Sequence, residues 1–305
     1  MKLFIVGNGF DLAHGLSTGY VDFRDYLEET NWEFLVKFEA PYGFVPESRR
    51  KIVEDLLWKD FETNLSAINE DEIIDGAVSM EMGLEGGDVD IESTLNEYWE
   101  DEYKYIKRLN QYISEWVRQI DIDVSPKTKI IKKNTKDLFL TFNYTLVLEK
   151  VYGIANNQIL HIHGSVDEHY SGEPVIGHGD FERIERVKAK IPEAEQNFWE
   201  KESSIYKALV NYYERTRKDV DFFLHFHKRF FENMSEVEQI NVIGHSWGDV
   251  DMPYFKEILK HVDKNVIWNV YYFKSEEEQQ FFNKALEIGI ARKNINMINT
   301  REFYK

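Results

Sequence analysis

The chain has 305 residues, enough for one large α/β domain with insertions or two smaller domains, and its 43% apolar and 15% aromatic content excludes a disordered chain. A formal charge of −18 argues against a duplex nucleic-acid surface, which needs clustered Lys and Arg to neutralise phosphates. There is no cysteine, so disulfides, thiolate zinc sites and a catalytic thiol are excluded; no apolar run approaches the roughly 20 residues that span a bilayer, and a strand stands where a signal peptide would begin, so the expected location is cytoplasmic.

The apolar run Leu3 to Val6 stops at Gly7-Asn8-Gly9 and resumes as Phe10-Asp11-Leu12, the pattern of a buried strand turning sharply through glycines. In an α/β protein that turn is a common phosphate site, because glycines admit the ligand close to backbone N–H groups. Gly7, Gly9 and Gly15 do not fit G-x-G-x-x-G, so a plain tight turn and a nucleotide site are both open readings here. A helix follows over Tyr20 to Glu29, with Val21, Phe23, Tyr26 and Leu27 at helical spacing.

Glu47 to Ile68 carries a helical stripe through Ile52, Val53, Leu56, Leu57, Phe61 and Leu65, and a second long helix is expected from about Ser93 to Ile120, with Trp99, Ile106, Ile113 and Ile120 seven apart. The two are expected to pair as a hairpin, which would also suit self-association into a homo-oligomer. From Asp60 to Tyr103 there is no Lys or Arg, and Gly83, Gly86 and Gly87 interrupt the pattern. This reads as a solvated acidic linker, with a protein-binding surface as the alternative.

Strand pattern returns at Leu138 to Phe142, ending in Asn143-Tyr144-Thr145, and again at Gln158 to Ile162, ending in His163-Gly164. Alternation places His161 and His163 on one side of that strand. Phe181 to Phe231 is helical, with Phe222, Phe223, Phe226, Phe230 and Phe231 as a core stripe. The last third alternates strand (Ile240 to Ile243), the loop Gly244 to Asp249, helix, strand (Val266 to Phe273), helix and strand (Ile295 to Ile298), which means parallel strands with right-handed crossovers.

The fold class implied is α/β, a Rossmann-like parallel sheet with two helical insertions. Residues 1–30, 136–180 and 236–305 form the nucleotide-binding domain, 31–135 one insertion with its acidic linker, and 181–235 the other. Parallel strands bring Asn8, Asp11, Asn143, His163, Ser246 and Asp249 to one edge, the usual ligand edge of such sheets.

The motifs Gly7-Asn-Gly-Phe-Asp-Leu-Ala-His-Gly-Leu16 with Tyr20-Val-Asp-Phe23, Phe142-Asn-Tyr-Thr145, His161-Ile-His-Gly164 and Gly244-His-Ser246 with Asp251 and Tyr254 resemble the AbiH family of bacteriophage abortive-infection proteins. Their order is more remotely similar to sirtuin-like NAD-consuming proteins. That likeness implies NAD, or a related nucleotide, as substrate. Gly7, Asn8, Gly9 and Phe10 would form the turn that meets it, Phe23 and Arg24 a Phe-Arg element, Gly164 the position after a catalytic His163, and Gly244, Ser246 and Asp249 the far ribose side. Asn143 and His163 would be catalytic, with Asp11 supporting them. Without cysteines the zinc module of sirtuin deacylases is lacking, so NAD hydrolysis to nicotinamide and ADP-ribose is expected rather than deacylation, with no metal. Asp11 at the turn would repel a phosphate. A phage trigger or a second defence protein is the partner expected, with no membrane.

Three other readings use the same residues. A sensor that binds a nucleotide without turnover would signal through the helical insertion. Gly244-His-Ser-Trp-Gly248 satisfies the G-x-S-x-G nucleophile elbow of an esterase, although only His261 follows it. His161, His163, His178 and Asp249 together offer imidazole and carboxylate to a divalent ion.

Overall fold

A computed structural model describes residues 1–79, 91–133, 136–167 and 172–305. Gly83, Gly86 and Gly87 of the acidic linker, and part of the loop after His163, lie outside the described residues. Six strands form one all-parallel sheet: β1 (Lys2–Val6), β2 (Leu138–Thr141), β3 (Ile159–His161), β4 (Gln239–Ile243), β5 (Ile267–Tyr272) and β6 (Ile295–Asn299), in the order β3-β2-β1-β4-β5-β6. This is the doubly wound order of a Rossmann-like sheet, with the order reversing between β1 and β4.

The chain divides into two compact units. The sheet unit consists of Met1–Asp22, Ile113–Val175 and Asp219–Lys305. Its strands read as near-continuous apolar runs because both faces are covered. Leu3, Ile5, Leu140, Val242 and Trp268 pack on one face with Phe255 and Phe281. Phe4, Val6, Phe139 and Ile243 pack on the other with Phe10, Val147, Leu148 and Phe303. The register of β4, β5 and β6 aligns Asn241, Asn269 and Asn296. Their carboxamides form a ladder, Asn296 Nδ2 donating to Asn269 Oδ1 and Asn269 Nδ2 to Asn241 Oδ1, each at 3.0 Å.

The helical unit consists of Phe23–Tyr112 and Ile176–Lys218, so residues from both sides of the strand β2 to β3 region build one core. The expected helix from Ser93 to Ile120 is broken: an α-helix, Ile91–Tyr103, is followed by a 3-10 segment, Lys104–Arg108, and a second helix, Leu109–Val117. Tyr103, Ile106, Leu109 and Tyr112 are all buried. A spacing of three keeps them on one face only if the backbone tightens to three residues per turn. The stripe from Glu47 is likewise divided, into Arg50–Val53, a π segment Glu54–Trp58, and Phe61–Asn64, and it leaves Ile52 and Leu56 exposed. The expected hairpin does not form. Ile91–Tyr103 instead packs along Glu200–Thr216, with Tyr103 edge-on to Tyr212 at 5.7 Å. Part of the stretch read as acidic linker is helical, Glu70–Ser79. No described helix is long and apolar enough to cross a membrane.

Candidate functional site

The first glycine turn is shaped by a neighbouring strand end. Gly7 N–H donates to the Ile243 carbonyl at 2.9 Å and Gly9 N–H to the Gly244 carbonyl at 2.8 Å. A Cβ on Gly7 would lie 2.6 Å from Gly244 O, and one on Gly9 2.8 Å from Gly244 Cα. The three glycines therefore let the turns after β1 and β4 touch backbone to backbone, at the point where strand order reverses. The helix beginning there, Asn8–Ala13, has only six residues, and Phe10 N–H is taken by the Gly7 carbonyl. Few N–H groups are left for a phosphate. Phe10 itself is fully buried against His14, Tyr152 and Phe303.

The cleft lies one strand over, between the ends of β1 and β2. It is lined by Asn8, Asp11, Thr18, Trp116, Asn143 and Thr145 among others, and its cavity volume of about 50 Å³ has room for a few water molecules. Asn8 Nδ2 donates to the Thr18 carbonyl at 2.8 Å, folding the loop back over the helix. Asp11 is 1% exposed. Its Oδ2 accepts from Thr145 Oγ1 at 2.5 Å. Burial pushes the carboxyl up to about 6, against the opposing pull of hydrogen bonds from Thr145 and Asn143.

Asn143 is fixed by its backbone. Its N–H donates to Thr141 Oγ1 at 3.1 Å, and its carbonyl accepts from His161 Nδ1 at 2.8 Å. His161 Nε2 lies 2.8 Å from Glu149 Oε1, so the ring is clamped between a carbonyl and a carboxyl. Three oxygens of the cleft-lining residues are buried without a hydrogen-bond partner among the described residues: Asp11 Oδ1, Asn143 Oδ1 and Thr18 Oγ1. Two of these are acceptors only, and they call for a ligand or water that donates.

The other expected residues are placed elsewhere. His163 does not share a side with His161, because β3 ends at His161 and the chain turns through Gly164 at φ +81°. His163 is enclosed by Phe142, Phe223 and Tyr254, with Nε2 2.9 Å from Tyr254 Oη. A Cβ on Gly164 would strike the Glu173 carbonyl at 2.1 Å, so this glycine too serves a close backbone approach. Phe23 and Arg24 belong to the helical unit. Phe23 is buried against Trp58 and Phe61, and Arg24 Nε donates to Glu39 Oε1 at 2.8 Å while Trp58 Nε1 donates to the same oxygen. Asp249 is exposed and ion-paired with Lys284.

Ser246 is exposed and bonds to no histidine among the described residues, and the positive φ near the elbow falls on Gly244 and Trp247 instead. Its neighbour His245 accepts from Trp247 N–H through Nδ1, which leaves Nε2–H facing Asp251 Oδ2 at 3.2 Å. His261 pairs with Glu257. No esterase triad is assembled among the described residues. Nor do three or more His, Asp or Glu residues gather as a metal site among the described residues. His178 belongs to the helical unit, where it accepts from Asp180 N–H through Nδ1.

Sequence reasoning reached Asp11 and Asn143 but not Glu149, Thr18 or Trp116. Glu149 sits in an ordinary Leu-Glu-Lys helical stretch, and Trp116 reads as one more residue of a core stripe. The Thr145 hydroxyl is part of the Phe142-Asn-Tyr-Thr145 motif, which was the available signal.

No protein of curated function matches the chain. The family model described as bacteriophage abortive infection AbiH matches residues 3–272, a span that holds β1 from its second residue, β2 to β5 and every residue of the cleft; the chain belongs to the AbiH family.

Proposed function

We propose that this abortive-infection protein hydrolyses the nicotinamide glycosidic bond of NAD in the cleft at Asp11 and Asn143. The observation that carries this reading is the set of buried, unpartnered oxygens on Asp11, Asn143 and Thr18 in one cleft. Ribose hydroxyls and a water molecule are donors of the kind these oxygens lack. The lining contains no Lys or Arg, which suits the cationic nicotinamide riboside end of NAD rather than its pyrophosphate.

Cleavage passes through an oxocarbenium-like state. Asn143 holds the ribose or the water, and ionised Asp11 takes the proton as water adds to the anomeric carbon. The bonding pair of the broken bond goes to the nicotinamide nitrogen. In this arrangement the base is Asp11, and the sirtuin-like role of His163 passes to it. His163 backs Phe142 in the wall, and His161 positions Asn143.

The narrow cavity favours a second reading, in which a phage-derived trigger opens the cleft and the protein reports nucleotide binding without turnover. Purified protein incubated with NAD, with and without phage lysate, separates the two by nicotinamide release. Turnover lost at least 100-fold in Asn143→Ala supports hydrolysis. Tight NAD binding with no release in either condition supports the sensor.

A further inference from the structure

The helical unit holds a cavity of about 440 Å³ between Ile91–Tyr103, Glu200–Thr216 and the segments around Lys188 and Ile191. Its volume is in the range of small-molecule sites. Trp99 and Tyr103 supply an aromatic wall, their rings 6.2 Å apart and 23° from parallel. Lys188, Lys207 and Arg215 supply three cations to the lining against one carboxylate, Glu100, in a chain whose overall charge is −18. The three cations are held by ion pairs to Glu214, Glu195 and Glu100 at 2.7 to 2.9 Å, and these carboxylates are about half exposed. Such pairs contribute little and are readily exchanged for a stronger anion.

Trp99 is 8% exposed, yet its indole Nε1–H has no acceptor among the described residues. A buried donor without a partner, on a residue that lines a cavity, is satisfied when a ligand acceptor enters. Aromatic stacking and cation-phosphate pairing together fit a planar heteroaromatic ring that carries a phosphate. We propose that this cavity is a second ligand site, specific for a nucleoside monophosphate, whose ring lies against Trp99 and whose phosphate exchanges for the glutamates on Lys188, Lys207 and Arg215.

Calorimetric titration of the full chain with AMP, adenosine and inorganic phosphate tests this. AMP is expected to bind, with adenosine and phosphate each at least tenfold weaker and AMP affinity falling with added salt. Lys207→Glu and Arg215→Glu, at partly exposed positions, should each weaken AMP at least tenfold. Trp99→Phe, which keeps a ring and removes the N–H, should weaken it severalfold. Asp11→Asn should leave AMP affinity as it is. The proposal is overturned if AMP does not bind the folded protein, if phosphate alone binds as tightly as AMP, or if Asp11→Asn abolishes binding while the charge reversals leave it unchanged.

Discussion

At the level of single residues, Asp11 carries the chemistry proposed for the cleft. An ionised carboxylate is costly to bury, and a carboxyl held near 6 is a base in its active form at neutral pH. The folded-state value lies above the unfolded one, so the stability contributed by the protonated carboxyl is fully present below about pH 4 and is lost as pH rises through about 6. Asp11→Asn keeps an acceptor for Thr145 and removes the charge. It is expected to be about 2 to 3 kcal/mol more stable than the wild type at pH 7.5 and no more stable at pH 4, as read from urea unfolding at both pH values. Equal stability of the two proteins at pH 7.5 would remove the buried-charge argument.

At the scale of elements, the turns after β1 and β4 are joined by glycines rather than opened by them. Gly7→Ala drives a methyl into the Gly244 carbonyl and should cost about 3 kcal/mol or more, because both sides of the clash are backbone. Gly15→Ala faces open space and carries only the left-handed conformation, at φ +83°, so about 1 to 2 kcal/mol is expected. Comparing the two unfolding midpoints checks the distinction. The asparagine ladder offers a second test of element pairing: Asn269→Leu strands Asn241 Oδ1 and Asn296 Nδ2, and should lower stability by about 1 to 3 kcal/mol.

The same elements show what the sequence could reveal. All six strands, their parallel pairing and the carboxyl-edge position of Asp11 and Asn143 follow from apolar runs that end in polar residues. The glycine motif, by contrast, looks the same whether a phosphate or a neighbouring turn fills the space beside it. Only the β1–β4 adjacency decides that. His161 and His163 part company because the strand stops between them, and alternation says nothing about where a strand stops. The stripe at Phe222 to Phe231 reads as core by spacing, yet Phe222 and Phe226 are exposed and stack on each other at 5.6 Å, while Phe231 is buried. Periodicity identifies a face without identifying what covers it.

At the scale of the whole molecule, a chain of charge −18 repels a dinucleotide as it approaches, and the cleft lining holds no cation to offset this. NAD is therefore expected to present its cationic nicotinamide end to Asp11, with Trp116 and Val117 giving way to admit it. The pH dependence of nicotinamide release shows whether Asp11 is the base in hydrolysis of NAD. For the wild type kcat/KM should rise tenfold per pH unit at low pH and level off above a midpoint near 6, with Asp11→Asn folded, at least 100-fold slower than the wild type on the plateau, and without that midpoint. Release by Asp11→Asn at the wild-type rate would contradict it.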